Sequence, residues 1–107
     1  MDNEAVVLKD KLSKINQKLN EVIKKVNQRK IKDSAIILNE ILNDIDEVYV
    51  IIENIYGVNN SLIHEINSRV EKVIVAYEKN NDILIKLNLQ QLKNLISEIN
   101  VESNNED

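Results

Sequence analysis

The chain has 107 residues, enough for one small core, and its composition includes no proline, no cysteine and a single glycine. Without cysteine there are neither disulfides nor thiolate metal sites, and one glycine excludes the familiar phosphate-cradling loops. The formal net charge of −4 is unevenly spread: residues 1–32 hold nine Lys plus Arg against four Asp plus Glu, giving +5, and the rest holds five against fourteen, giving −9.

In residues 5–29, Leu8, Leu12, Ile15, Leu19, Val22 and Val26 recur at spacings of four and three, the pattern of a helix with a coiled-coil-like seam. Lys11, Lys18 and Lys25 then fall along one flank of that seam. Self-pairing of this helix would set lysine against lysine, so its expected neighbour is acidic. An internal partner is available in the next segment, and an external acidic partner is the alternative.

Carrying the first register onward places Arg29, Asp33 and Glu40 in the seam, so a break and a new helix are expected, with Asp33 or Ser34 as N-cap. The new helix, 34–56, has the most apolar surface in the chain. Leu38, Ile41, Ile45, Val48, Ile52 and Ile55 form its stripe, Ile37 and Ile51 widen one edge, and Leu42, Tyr49 and Tyr56 widen the other. Its remaining face carries Glu40, Asp44, Asp46, Glu47 and Glu53 without a Lys or Arg, the complement of the first helix. Gly57 is expected to end it in the left-handed conformation, with Val58 folding back onto the apolar face.

Asn59, Asn60 and Ser61 offer a cap for a third helix, 61–79, striped by Ile63, Ile66, Val70, Val73 and Tyr77. Asn80-Asn81-Asp82 reads as a stop and restart, an asparagine taking the left-handed position and Asp82 capping the fourth helix. That helix, 82–99, is striped by Ile85, Leu89, Leu92, Ile96 and Ile99. The expectation is one all-α domain over residues 1–100, an antiparallel up-down-up-down four-helix bundle, followed by an acidic flexible tail at 101–107. A three-helix bundle with a long bent first helix is the alternative.

The search for chemistry returns no catalytic, cofactor-binding or metal-ligating residues. A di-iron bundle needs paired Glu-x-x-His motifs, but His64 is the sole histidine and Ser61 stands three residues before it. No oxygen-rich loop with a glycine bend suits calcium. Two arginines, no Phe or Trp and an acidic balance argue against nucleic acid. The longest apolar run, Val48–Ile52, is far below the ~20 residues of a membrane span, and the Asp2-Asn3-Glu4 start lacks the basic region of a secretory signal. A cytoplasmic protein without cofactors is expected.

The segment Ala76–Ile96, AYEKNNDILIKLNLQQLKNLI, resembles the helical hairpin of small bacterial flagellar-export chaperones of the FliT-like and FlgN-like families, in which a turn with an acidic residue joins two leucine-patterned helices. The resemblance covers about a fifth of the chain and transfers no functional residue. It implies a non-enzymatic protein that shields a helical segment of another protein. Candidate partner-facing residues are Lys11, Lys18, Lys25, Tyr49, Tyr56 and Tyr77. The competing expectation is a structural bundle that buries its apolar surface in a homo-oligomer, and an enzyme or metal protein stands third.

Overall fold

The computed structural model describes residues 2–99 and 101. Four helices account for the architecture: α1 (Asp2–Asn27), α2 (Ile31–Tyr56), α3 (Ser61–Glu78) and α4 (Asp82–Glu98). The chain therefore forms the all-α four-helix bundle that its periodicity predicts, not the three-helix alternative. At about 1.5 Å per residue α1 and α2 are each about 39 Å long, which sets the long dimension of the 48 × 23 × 19 Å molecule.

The core is built from the predicted stripes. Leu8, Ile15, Leu19 and Val22 of α1 meet Ile41, Val48 and Ile52 of α2, Ile66 and Val73 of α3, and Ile85, Leu89 and Leu92 of α4, all essentially fully buried. Burying a side chain of this size contributes about 1.5–3 kcal/mol, so the stripes supply the drive for folding. Val101, assigned from sequence to the tail, is also buried. It lies in a small recess with Lys9, Leu12 and Ile99. The remainder of the expected tail, residues 102–107, lies outside the described residues.

The connections differ from expectation in informative ways. α1 closes in a Schellman motif: the Lys30 amide donates to the Lys25 carbonyl (2.9 Å) and the Arg29 amide to that of Val26 (2.9 Å). Arg29, at φ 65°, occupies the left-handed position usually given to glycine. The helix stops through backbone hydrogen bonds, so α2 restarts at Ile31 with Lys30 at the N-cap and no side-chain cap. Asp33 and Ser34 are consequently inside α2, not before it. α3 ends in the same motif with Asn80 (φ 52°) in the left-handed position. Asn81, not Asp82, caps α4, its Oδ1 accepting from the Leu84 amide at 3.0 Å. Asn60 caps α3 by accepting from the Leu62 amide at 2.8 Å.

Gly57 adopts φ 103°, ψ 158°, an extended positive-φ region open essentially to glycine alone, in place of the expected left-handed helical conformation. Nothing lies within 4 Å of where a Cβ would sit, so the requirement is backbone strain alone. This geometry carries Val58 away from the apolar face, and Val58 is 69% exposed.

Candidate functional site

The two hairpins are joined unevenly. α1 packs closely on both α2 and α4, and α3 packs closely on α4, whereas α2 and α3 make no comparably close backbone approach. The four helices thus have three tight seams and one wide one.

The tight α1–α2 seam is the charge joint. Lys11 Nζ reaches Glu47 Oε1 at 2.6 Å, and Lys18 Nζ reaches Asp44 Oδ2 at 2.9 Å and Glu40 Oε1 at 3.6 Å. The hydrogen bond to Glu47 holds the Lys11 ammonium above the usual lysine range, and that to Asp44 does the same for Lys18. These exposed pairs select the neighbour more than they hold the fold. Two of the three flanking lysines proposed from sequence as partner-facing are thereby engaged inside the chain. Lys25 is half-buried in the last turn of α1, and no ion pair of it is found among the described residues.

The wide α2–α3 seam holds two of the three tyrosines. Tyr49 and Tyr77 are half-buried against the core and Tyr56, near the end of α2, is 44% exposed. Near one end, the Tyr77 hydroxyl and Ser34 Oγ lie 2.8 Å apart in a hydrogen bond, while Ser34 Oγ also donates to the Ile31 carbonyl at 2.6 Å when Tyr77 donates to it. Ser34 is fully buried, and its small side chain leaves room for the tyrosine ring. Farther along, the Tyr49 hydroxyl is buried and has no hydrogen-bond partner. Burial pushes its pKa up to about 12, with the nearby carboxylates of Asp46 and Glu71 adding to the shift. Burial raises Tyr77 too, opposed by the hydrogen bond with Ser34. The sequence offered these tyrosines as partner-facing residues. The hydroxyls of Tyr49 and Tyr77 instead face into the seam, which no local pattern reports because Ser34 and Tyr77 are 43 positions apart.

Further apolar side chains lie outside the core. Ile83 is 78% exposed and Leu87 51%, one turn apart on α4, and Val75 on α3 is exposed beside a shallow groove with Leu84 and Asn88. Sequence periodicity missed these residues because they fall off the stripes. His64 is exposed near the start of α3. Among the described residues no group of three or more His, Cys, Asp and Glu is placed to hold a metal ion, and no helix is long and apolar enough to cross a membrane.

The fold and its seams define a small all-α bundle. In comparisons with known proteins, the chain matches no family model, no curated protein and no solved structure.

Proposed function

We propose that the protein is a small non-enzymatic interaction module, in the manner of a chaperone or adaptor, that receives a helical segment of another protein. The observation carrying this reading is the unequal spacing of the bundle: the α2 and α3 backbones stand farther apart than those of the other three neighbouring pairs, and the tyrosines that fill the space leave one hydroxyl unspent. A fifth helix laid along such a seam would extend the packing already present, the mode by which amphipathic helices occupy apolar grooves. The resemblance of Ala76–Ile96 to flagellar-export chaperones points the same way, since those families shield partner helices. Internal engagement of Lys11 and Lys18 moves the proposed contact surface from the basic flank of α1 to the tyrosine edge.

The rival reading, a self-associating structural bundle, draws on the exposed Val75, Ile83 and Leu87 of the α3–α4 face. Affinity capture combined with small-angle scattering separates the two. A one-to-one complex, in which a partner segment becomes protected from hydrogen exchange as a helix, is the expected result. A symmetric dimer that captures nothing would give the structural reading in its place.

A further inference from the structure

The bundle is a rod whose two ends differ in charge. At one end the 2.8 Å hydrogen bond between Ser34 and Tyr77 sets the α1–α2 turn beside the α3–α4 turn. At the other, the Asn54 side-chain amide donates to Glu4 at 3.3 Å, bringing the end of α2 to the start of α1. α4 runs antiparallel to α1, since Ser97 bonds to Asn16 and Val101 lies by Lys9 and Leu12, so its last turn points toward this second end. The first end is basic. Lys24, Lys25, Arg29, Lys30 and Lys32 fall within residues 24–32, which contain no acid, and all but the half-buried Lys25 are exposed. In the adjoining α3–α4 turn, Lys79 and Lys86 are balanced by Glu78 and Asp82. None of the five is engaged in the ion pairs found among the described residues. The second end is acidic. Glu4, Glu53, Glu65 and Glu98 lie toward it, and residues 1–8, 50–68 and 94–107 contain no Lys or Arg.

Each end also exposes apolar side chains. Ile83 and Leu87 stand out beside the basic turns, and Tyr56 and Val58 at the acidic end, where Gly57 turns Val58 away from the core. An apolar patch among charges of one sign thus has a counterpart among charges of the other sign on the same molecule. From this polarity we infer that the protein associates head to tail with further copies of itself, the acidic end of one copy seating on the basic end of the next. Two basic or two acidic ends brought together would repel, so only the head-to-tail order sets opposite charges face to face. Such a contact is heterologous and leaves a free end of each kind, so copies add in a row. The 23 × 19 Å cross-section gives an end face of about 400 Å², against about 800 Å² per partner in a standard interface, which makes the association reversible and dependent on concentration. The inference goes beyond the interaction-module reading, because it uses the ends of the rod and not its α2–α3 flank.

Sedimentation velocity of the full chain over a concentration series tests it. The wild-type protein is expected to form a ladder of dimers, trimers and longer rows at about 0.1 M salt, and the association weakens at least about fivefold at about 1 M, where the screening length falls from about 10 Å to about 3 Å. Two variants each silence one end. Lys30→Gln/Lys32→Gln/Ile83→Gln alters the basic end and Glu53→Gln/Glu98→Gln/Val58→Ser the acidic end, all at exposed positions, so both keep the fold by circular dichroism. Each variant alone should associate at least about tenfold more weakly than the wild type. Mixed in equal amounts, they should form a heterodimer that grows no further, because each still carries one competent end. If one variant alone associates as the wild type does while the other does not, the contact joins identical ends and the inference fails. It fails also if the mixture forms no heterodimer, or if the wild type stays monomeric throughout. A monomeric wild type whose α1–α2 turn binds a short poly-glutamate peptide would make the occupant of the basic end a foreign acidic segment, not a second copy.

Discussion

Replacing Tyr49 by Phe should stabilise this protein, although tyrosine to phenylalanine removes a polar group that usually has a use. The Tyr49 hydroxyl is buried without a partner, and leaving such a group unsatisfied costs about 1–3 kcal/mol. Phenylalanine keeps the ring and opens no sizeable cavity, so most of the lower end of that cost should be recovered. A gain of about 1 kcal/mol corresponds to a rise of about 4–8 °C in the unfolding midpoint for a domain of this size. Thermal and urea unfolding followed by circular dichroism at neutral pH measure it. Alkaline pH gives a second readout. With the folded pKa pushed up to about 12 and the unfolded value near 10, the unfolded state loses the proton first, so stability falls as pH rises through that window. Tyr49→Phe lacks this contribution, so its advantage should grow from pH 10 upward. A loss of about 1 kcal/mol in the variant, or parallel alkaline limbs, would mean that the Tyr49 hydroxyl has a hydrogen-bond partner in the folded protein.

The same exchange at Tyr77 should have the opposite sign, since Tyr77→Phe and Ser34→Ala each remove one side of a 2.8 Å hydrogen bond. Each single variant should cost about 0.5–1.5 kcal/mol by urea unfolding, and the double variant less than their sum. Ile45→Asp and Ile52→Asp place a charge at fully or almost fully buried positions of α2 and should abolish the cooperative circular dichroism melt of a domain whose total stability is about 5–15 kcal/mol. Changing Lys11, Lys18 and Lys25 together to Glu should lower the melting midpoint modestly at low salt by setting like charges against Glu47, Asp44 and Glu40, with the difference narrowing as salt is added. Arg29→Gly should raise stability by up to about 1 kcal/mol in urea unfolding by relieving the φ 65° conformation, and a loss would show that the arginine side chain makes a compensating contact.

The helices and core were legible because the three-four spacing encodes which face is buried whatever that face meets. Leu8 through Val26, and Leu38 through Ile52, are buried where the periodicity places them. The charge complement between α1 and α2 was legible for a similar reason, since each helix has a flank of one sign. What escaped was set by backbone geometry or by distant pairing. The α1–α2 break could be inferred from a phase change but not positioned, because backbone amides close the Schellman motif and Arg29, a residue with no preference for φ 65°, fills its left-handed position. Ser34 looked like a cap because serine often is one. Its role as the small buried acceptor or donor for Tyr77 arises only once α3 lies beside α2. The wide seam was equally invisible, because helix spacing depends on the side chains that meet between two stripes, not on either stripe alone.

The close packing of α1 against α4 bears on the order in which the chain acquires its core. Asn16 and Ser97, which are hydrogen-bonded at 3.3 Å, are 81 positions apart, so α1 cannot complete its burial until α4 has been made. The α1–α2 hairpin can form early, held by its own charge joint, but the α4-facing side of α1 stays wet. At about 5–20 residues per second, the interval between completing α2 and completing α4 lasts several seconds on the ribosome. Until α4 docks, the α4-facing side of α1 is available to chaperones and to neighbouring nascent chains. Synonymous changes that slow translation of α3 and α4 should therefore lower the yield of folded protein without altering the stability of the molecules that do fold.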